Sequence, residues 1–177
     1  GKSLSALDRC IGEEIGELGK PAFRHRIVLG LPEAIRGQKD WGEIDGREMD
    51  FSKEEDQIAA TKWYIGELVE RFKAAKYKHL ELSGFYWVAE DTHHCEELTI
   101  PLSEYIHSEG KLFYWIPYWQ AKGHEEWKRL GFDVAYQQPN HFFNHSIPDS
   151  RLDEACATAR RHGMAMEFEF DEKATAA

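Results

Sequence analysis

The sequence lacks the features that mark several large classes of protein. No apolar run approaches the roughly 18 residues of a membrane span, and no signal peptide precedes the first predicted helix. No stripe of Lys and Arg is present, and a formal net charge of -10 opposes binding to a phosphate backbone. No glycine-rich turn of the G-x-G-x-x-G type follows an apolar run, which disfavours nucleotide chemistry. We therefore expect neither a membrane span nor a nucleic-acid partner.

Cysteine is also scarce, with only Cys10, Cys95 and Cys156. These residues are too few and too scattered for a disulfide framework, and their odd number predicts at least one free thiol. His93, His94 and Cys95 offer zinc-type ligands. Adjacent residues point in different directions, however, and the sequence holds no second cluster with ligand spacing. The prediction is that the protein has no metal site and no cofactor.

What the sequence does contain is a repeated alternation of short apolar runs with helical segments. The runs are residues 26–31, 80–88, 112–117, 132–137 and 164–170. Gly110, Gly131 and Gly163 each lie one or two residues before a run, where a helix C-terminus needs a residue that tolerates positive φ. Strands that alternate with helices predict right-handed parallel βαβ units. With 177 residues and 42% hydrophobic content, one domain over 1–177 is expected.

This alternation predicts an α/β fold, and specifically a parallel β/α (TIM-type) barrel. A complete barrel needs eight strands and usually at least about 200 residues, so about five βα units predict a partial barrel. The alternative is an open, doubly wound five-stranded sheet. Against it, bulky aromatics and carboxylates stand at the predicted strand ends. A partial barrel would leave two unpaired edges and an apolar flank, which favours association with another chain or with a missing barrel portion.

Three carboxylates follow predicted strands: Glu90, Glu167 and Glu169. Cleavage of a glycosidic bond requires an acid that protonates the leaving oxygen and a carboxylate that attacks, or activates water, at the anomeric carbon. Glu167 and Glu169 share strand parity, so both should point to one side with raised or coupled pKa values. We predict Glu90 as general acid/base, Glu169 as nucleophile and Glu167 as orienting group or alternative nucleophile. In the alternative reading all three are solvated surface charges.

Aromatic and amide side chains gather near the same strand ends. Flat rings suit the apolar faces of sugars, and amide groups offer donors and acceptors for hydroxyls. The predicted substrate-binding residues are Tyr86, Trp87, Trp115, Tyr118, Trp119, Tyr136, Gln138, Asn140 and His141, with Phe142 and Phe143 close by in the sequence. Packing in the core is the alternative for any one of the rings. A carbohydrate is the predicted substrate.

Four ordered motifs resemble a bacterial family, the domain of unknown function 4855. They are Gly84-Phe-Tyr-Trp-Val-Ala-Glu90, Phe113-Tyr-Trp-Ile-Pro-Tyr-Trp119, Tyr136-Gln-Gln-Pro-Asn140 and Met166-Glu-Phe-Glu-Phe-Asp171. The resemblance implies a barrel related to glycoside hydrolases and a secreted or periplasmic location. In clan A of those enzymes the acid/base ends the fourth strand and the nucleophile the seventh. If residues 26–31 are the third strand, Glu90 and either Glu169 or Glu167 fall at those places, although Ala89 replaces the usual Asn.

The predicted function is therefore a glycoside hydrolase that acts on a polysaccharide or oligosaccharide by a two-carboxylate, retaining mechanism. Retention requires carboxyl groups about 5 to 5.5 Å apart, and a separation of about 6.5 to 9.5 Å predicts inversion. Two alternatives remain open. One is a carbohydrate-binding or scaffold barrel without catalysis, and the other is a metal-assisted hydrolase or lyase that uses His93, His94 and a carboxylate.

Overall fold

The computed structural model describes residues 1–93, 95–142, 144 and 146–169. In chain order its elements are α1 (Lys2–Leu18), β1 (His25–Leu31), β2 (Glu43–Ile44), β3 (Arg47–Glu48), α2 (Glu54–Ala75), β4 (Leu80–Trp87), α3 (Glu96–Ser108), β5 (Leu112–Trp115), a 3-10 turn (His124–Glu126), β6 (Val134–Gln137), α4 (Ser150–His162) and β7 (Ala165–Met166). Strands β2 and β3 form a small antiparallel hairpin between β1 and α2.

The central sheet has five strands in the order β1-β4-β5-β6-β7, and every neighbouring pair is parallel. The predicted α/β fold with a parallel sheet is thus confirmed. The order advances in one direction without reversal, so this sheet has no switch point of the doubly wound kind. Within the described residues β1 and β7 do not pair with each other, and no barrel is closed.

One face of the sheet packs against helices and forms the main hydrophobic core. Strand residues such as Phe85, Phe113 and Ala135 share this core with Ile65 of α2 and Leu102 of α3. All five are almost completely buried. This burial is the principal source of the fold's stability, because apolar area removed from water contributes about 25 cal/mol per Å².

A β-bulge in β4 decides which of its side chains enter that core. Ile27 of β1 pairs with Leu82 and Val28 pairs with Gly84, so Ser83 has no partner on β1. The extra residue shifts the strand's alternation by one position. Gly84 is required there because a Cβ would lie 2.1 Å from the Leu112 carbonyl oxygen.

The opposite face of the sheet remains open to solvent. Val28 and Leu112 are each 39% exposed, and Tyr86, Tyr114 and Tyr136 are only half-buried. The side chains of Ser83 and Tyr114 meet on this face, with their hydroxyl oxygens 3.0 Å apart. Parallel sheets are usually covered on both faces, so we call this surface the uncovered face of the sheet.

Helix α1 lies at the end of the sheet where β4 begins. The Asp8 carboxylate accepts hydrogen bonds from the backbone N–H groups of Lys78 (3.1 Å) and His79 (2.7 Å). No residue of α1 is buried, and Leu18 is 81% exposed. Across the described part of the chain, no helix combines the length and the apolar character needed to cross a membrane.

Candidate functional site

The predicted site residues follow strands that all end at the same edge of the sheet. Glu90 comes three residues after the end of β4, and Glu167 directly follows β7. The backbone N–H of Glu167 still donates to the Gln137 carbonyl (3.0 Å), which continues the parallel ladder with β6. Because carboxyl ends of parallel strands meet at one edge, these acids share one region of the surface.

The structure brings the three carboxylates close enough to repel one another. Burial raises the pKa of Glu167, and the negative charges of Glu169 and Glu90 raise it further. Burial also raises the pKa of Glu169, and the charge of Glu90 adds to the rise. Glu90 itself is exposed to solvent. Glu167 and Glu169 therefore hold their protons more tightly than isolated carboxyls do, which is common at sites of acid/base chemistry.

Tyr86 lies on the uncovered face beneath this group. Burial raises the pKa of its hydroxyl, and the charges of Glu90 and Glu167 raise it further. The phenol therefore stays protonated and can donate a hydrogen bond. Tyr136 is also half-buried and, by strand alternation, points to the same face.

Asn140 links three segments of the site. Its backbone N–H donates to Oε2 of Glu169 (2.7 Å), and its side-chain Oδ1 accepts from the backbone N–H of Trp119 (2.6 Å). Its Nδ2 donates to Oε1 of Gln138 at 3.4 Å. The backbone of Asn140 has φ 47°, a left-handed conformation that Asn tolerates better than most residues. Both polar atoms of the side chain are thus used within the protein, and Asn140 supports the site rather than projecting into it.

Two glutamines stabilise the loop after β5. Gln138 is buried, and its Nε2 donates to the Ile116 carbonyl at 3.0 Å. Gln137 is fully buried, and its Nε2 donates to the carbonyls of Pro117 (3.2 Å) and Tyr118 (3.1 Å). Its signal in the sequence is an amide that ends an otherwise apolar strand, where a buried polar group needs several partners.

Two predicted substrate contacts were wrong. Trp87 and Trp115 are 2% and 0% exposed and belong to the core behind the sheet. The Trp115 ring stacks on Phe132 with centroids 4.9 Å apart, and its indole N–H donates to the Ala89 carbonyl (2.8 Å). The physical reason is the alternation of each strand, which turns these rings towards the helices. Trp115 therefore positions the residue before Glu90 instead of binding substrate.

Tyr118 and Trp119 lie past the end of β5 and are half-buried. The Tyr118 hydroxyl donates to Oδ2 of Asp91 (3.1 Å), and this bond raises the pKa of Tyr118. Its backbone N–H donates to the Glu90 carbonyl (3.2 Å). The Arg151 guanidinium lies 5.1 Å from the centroid of the Trp119 ring and covers part of one face. Both rings remain within reach of a ligand at this edge.

His141 is half-buried beside Glu169, and its backbone N–H donates to the Glu169 carboxylate. Its Nε2 lies 3.0 Å from Oδ1 of Asp149, but the two atoms do not have hydrogen-bond geometry. The contact is an ion pair only when the imidazole is protonated. Phe142 lines a pocket with Glu167 and Glu169. Phe143 lies outside the described residues.

The residues of the metal alternative are only partly described. His94 lies outside the described residues, and the backbone N–H of His93 donates to Oδ1 of Asp91 at 2.9 Å. Burial raises the pKa of Cys95 to about 11, so its sulfur remains a thiol at neutral pH. In the residues that the structure describes, no three His, Cys, Asp or Glu side chains are grouped as metal ligands would be.

The raised pKa of Glu167 predicts a pH-dependent stability. Folded Glu167 binds its proton more tightly than an unfolded glutamate, whose ordinary pKa is 4.5, so its ionisation destabilises the fold as pH rises past that value. We expect Glu167→Gln to raise Tm at pH 7, by the equivalent of at most about 1 kcal/mol because the group is half-exposed. The difference should vanish near pH 4. Calorimetry at both pH values measures it, with exposed Glu104→Gln as control, and equal Tm values at pH 7 would contradict the prediction.

The chain has no match among curated proteins or among solved structures. One family model matches it, over residues 1–177, and its description is Domain of unknown function (DUF4855). The match includes every strand of the sheet and all three carboxylates of the site. The protein therefore belongs to the DUF4855 family of domains of unknown function.

Proposed function

We propose that the protein is a glycoside hydrolase that cleaves a polysaccharide or oligosaccharide by a retaining, two-carboxylate mechanism. The observation that carries this proposal is the position of Glu90, Glu167 and Glu169 after strands that end at the same carboxyl edge of a parallel sheet, where the charge of Glu90 acts on the other two carboxyls. Residues on β4 and β7 are three strands apart, which corresponds to about 14 Å along a flat sheet. The interaction of their carboxylates therefore favours a sheet that curls and brings them towards each other.

The proposed scaffold is part of a β/α barrel. The one-directional strand order and the uncovered face both support it, since a barrel winds in one sense and fills its interior with side chains from all its strands. Further strands, from this polypeptide or from another chain, would pair with the edges of β1 and β7 that are unpaired among the described residues. The proposal also includes a secreted or periplasmic location, where polymeric carbohydrates are met.

The proposed reaction proceeds in two steps. A carboxylate of the Glu167 and Glu169 pair attacks the anomeric carbon and forms an ester, while the glycosidic bond breaks and its oxygen takes the proton of Glu90. Glu90, now ionised, removes a proton from water, and the hydroxide oxygen displaces the carboxylate from the sugar. Atoms and charge balance, and both acids return to their starting states.

The sugar would lie against the half-buried rings at this edge. Tyr86 and Tyr136 face it from the sheet, Tyr118 and Trp119 from the loop after β5, and His141 from the loop after β6. Aromatic rings and phenolic hydroxyls supply both stacking and hydrogen bonds to carbohydrates. Gln138 and Asn140 would act indirectly, because they hold the loops that carry these groups.

A second candidate is a protein that binds carbohydrate without cleaving it. The exposure of Glu90 favours this candidate, because a general acid usually works from a site that excludes water. The rings of the site would bind sugar in either case. The two candidates differ only in whether the carboxylates act on the glycosidic bond.

The deciding experiment compares the purified chain with the triple variant Glu90→Gln, Glu167→Gln, Glu169→Gln. On a panel of polysaccharides and aryl glycosides, we expect the wild type to release reducing ends and the triple variant to fall by at least about 10⁴-fold while still binding the ligand. Calorimetric titration measures binding, and Glu81→Gln, at the other end of β4, is the matched control. Equal binding by both proteins without turnover by the wild type would favour the binding candidate and overturn the enzyme.

A further inference from the structure

Counted along the chain from the paired rows of the sheet, Glu90 and Glu167, rather than Glu90 and Glu169, lie the same number of residues beyond the sheet. Trp87 pairs with Trp115, and Trp115 pairs with Ala135. Glu90 lies three residues beyond Trp87. On the other side of the site Gln137, two residues beyond Ala135, pairs with Met166, so Glu167 also lies three steps beyond that row. Glu169 is two residues further along the chain.

Glu169 is fixed by the backbone of the preceding loop. The N–H of Asn140 donates to its Oε2 at 2.7 Å, and the N–H of His141 also donates to its carboxylate. Successive N–H groups around a left-handed residue form a concave site for an anion, and here the occupant is Glu169 itself. A carboxylate that is held in this way has little freedom to approach a sugar carbon.

Glu167 differs in each of these respects. Its side chain accepts no hydrogen bond within the described part of the chain, and it lies on the uncovered face with Tyr86. The charges that act on it are those of Glu169 and Glu90. It is therefore the acid of the β7 pair that is free to move towards a substrate held opposite Glu90.

We propose that Glu167 is the carboxylate that bonds to the anomeric carbon, and that Glu169, held by the Asn140 and His141 N–H groups, is a positioning residue. This inference rests on the proposed function and reverses the roles predicted from the sequence. The fixed charge of Glu169 makes Glu167 a more basic nucleophile and stabilises the positive charge that develops on the sugar ring in the transition state.

Chemical rescue by azide tests the assignment. On the dinitrophenyl glycoside of the sugar that the wild type turns over, Glu167→Ala should lose at least about 1,000-fold in kcat/KM. Azide should restore its turnover, because the small anion attacks the anomeric carbon from the space that the carboxylate left and yields a glycosyl azide of inverted configuration. Glu169→Ala should lose about 10- to 100-fold, should not respond to azide, and should move the acidic limb of the kcat/KM profile to lower pH.

A trapping experiment on the unaltered protein covers the case in which Glu167→Ala fails to fold. A fluorinated glycosyl fluoride of the same sugar, which forms the ester but hydrolyses slowly, should label a peptide at Glu167 in mass spectrometry. Label on Glu169, or azide rescue of Glu169→Ala, would overturn the assignment and leave the proposed function standing. If the protein is active but neither Glu167 nor Glu169 is labelled and neither alanine variant is rescued by azide, the assignment is also overturned. No turnover by the wild type would instead overturn the proposed function itself.

Discussion

Glu90→Gln is expected to lower kcat/KM for a natural glycan by about 10² to 10⁴-fold, which is the range that a positioned general acid contributes. A sugar alkoxide is a poor leaving group, and glutamine has no proton to give it at neutral pH. The neutral amide keeps the shape of the side chain. Binding should therefore be retained, and the loss should appear in kcat.

The leaving group separates this role from a purely structural one. A dinitrophenolate departs without a proton, so formation of the glycosyl-enzyme ester should proceed at nearly the wild-type rate in Glu90→Gln. A burst of dinitrophenol followed by slow turnover, measured by stopped-flow absorbance, is the expected result. Glu81→Gln, on the same strand but at its opposite end, should behave as the wild type. An equal loss on both substrates would contradict a general acid at this position.

The sheet was predictable because its signals are local. Three of the five apolar runs follow a glycine with positive φ, at Gly110, Gly131 and Gly163, and these glycines mark helix ends and strand starts. The alternation of strands and helices then requires parallel pairing. The observed strands β4 to β7 are shorter than the predicted runs, most of all β7, because only the part that pairs with β6 counts as a strand.

The side of the sheet to which each side chain points was less predictable. An aromatic ring near a strand end can face either a helix or a ligand, and periodicity is reliable only while the strand stays regular. The extra residue at Ser83 changes the parity of β4, so Leu82 and Trp87 point to the same core although five positions separate them. A bulge of this kind depends on the neighbouring strand, so it cannot be predicted from the sequence of β4 alone.

The chain order of the strands predicted a site that joins Glu90 with Glu167 and Glu169, but it did not predict the hydrogen bonds that distinguish Glu169 from Glu167. Those bonds depend on Asn140, whose backbone N–H and side chain connect loops that are distant in sequence. Contacts between loops are set by tertiary packing and leave no periodic signal. The same is true of Trp115, which sequence reasoning placed at the ligand and the structure places in the core.

Trp115→Ala is expected to destabilise the protein by about 3 to 5 kcal/mol, because it leaves a cavity at a fully buried position. Urea unfolding followed by circular dichroism measures the change. Trp63→Ala on α2 is the matched control, since its ring is 44% exposed and its loss should cost far less. A stability change below about 1 kcal/mol for Trp115→Ala would contradict a core role.

Trp115→Phe then separates packing from positioning. Phenylalanine retains the aromatic contact with Phe132 but lacks the N–H that donates to the Ala89 carbonyl, and a lost hydrogen bond of this kind costs about 1 to 2 kcal/mol. Because Ala89 precedes Glu90, the variant should lower kcat by about 10-fold with little change in KM. If Trp115 were a substrate contact, the effect would appear in KM and the stability would not change. Comparison of the changes in kcat and KM therefore decides whether the Trp115 ring binds sugar or holds the end of β4 in the position that Glu90 requires.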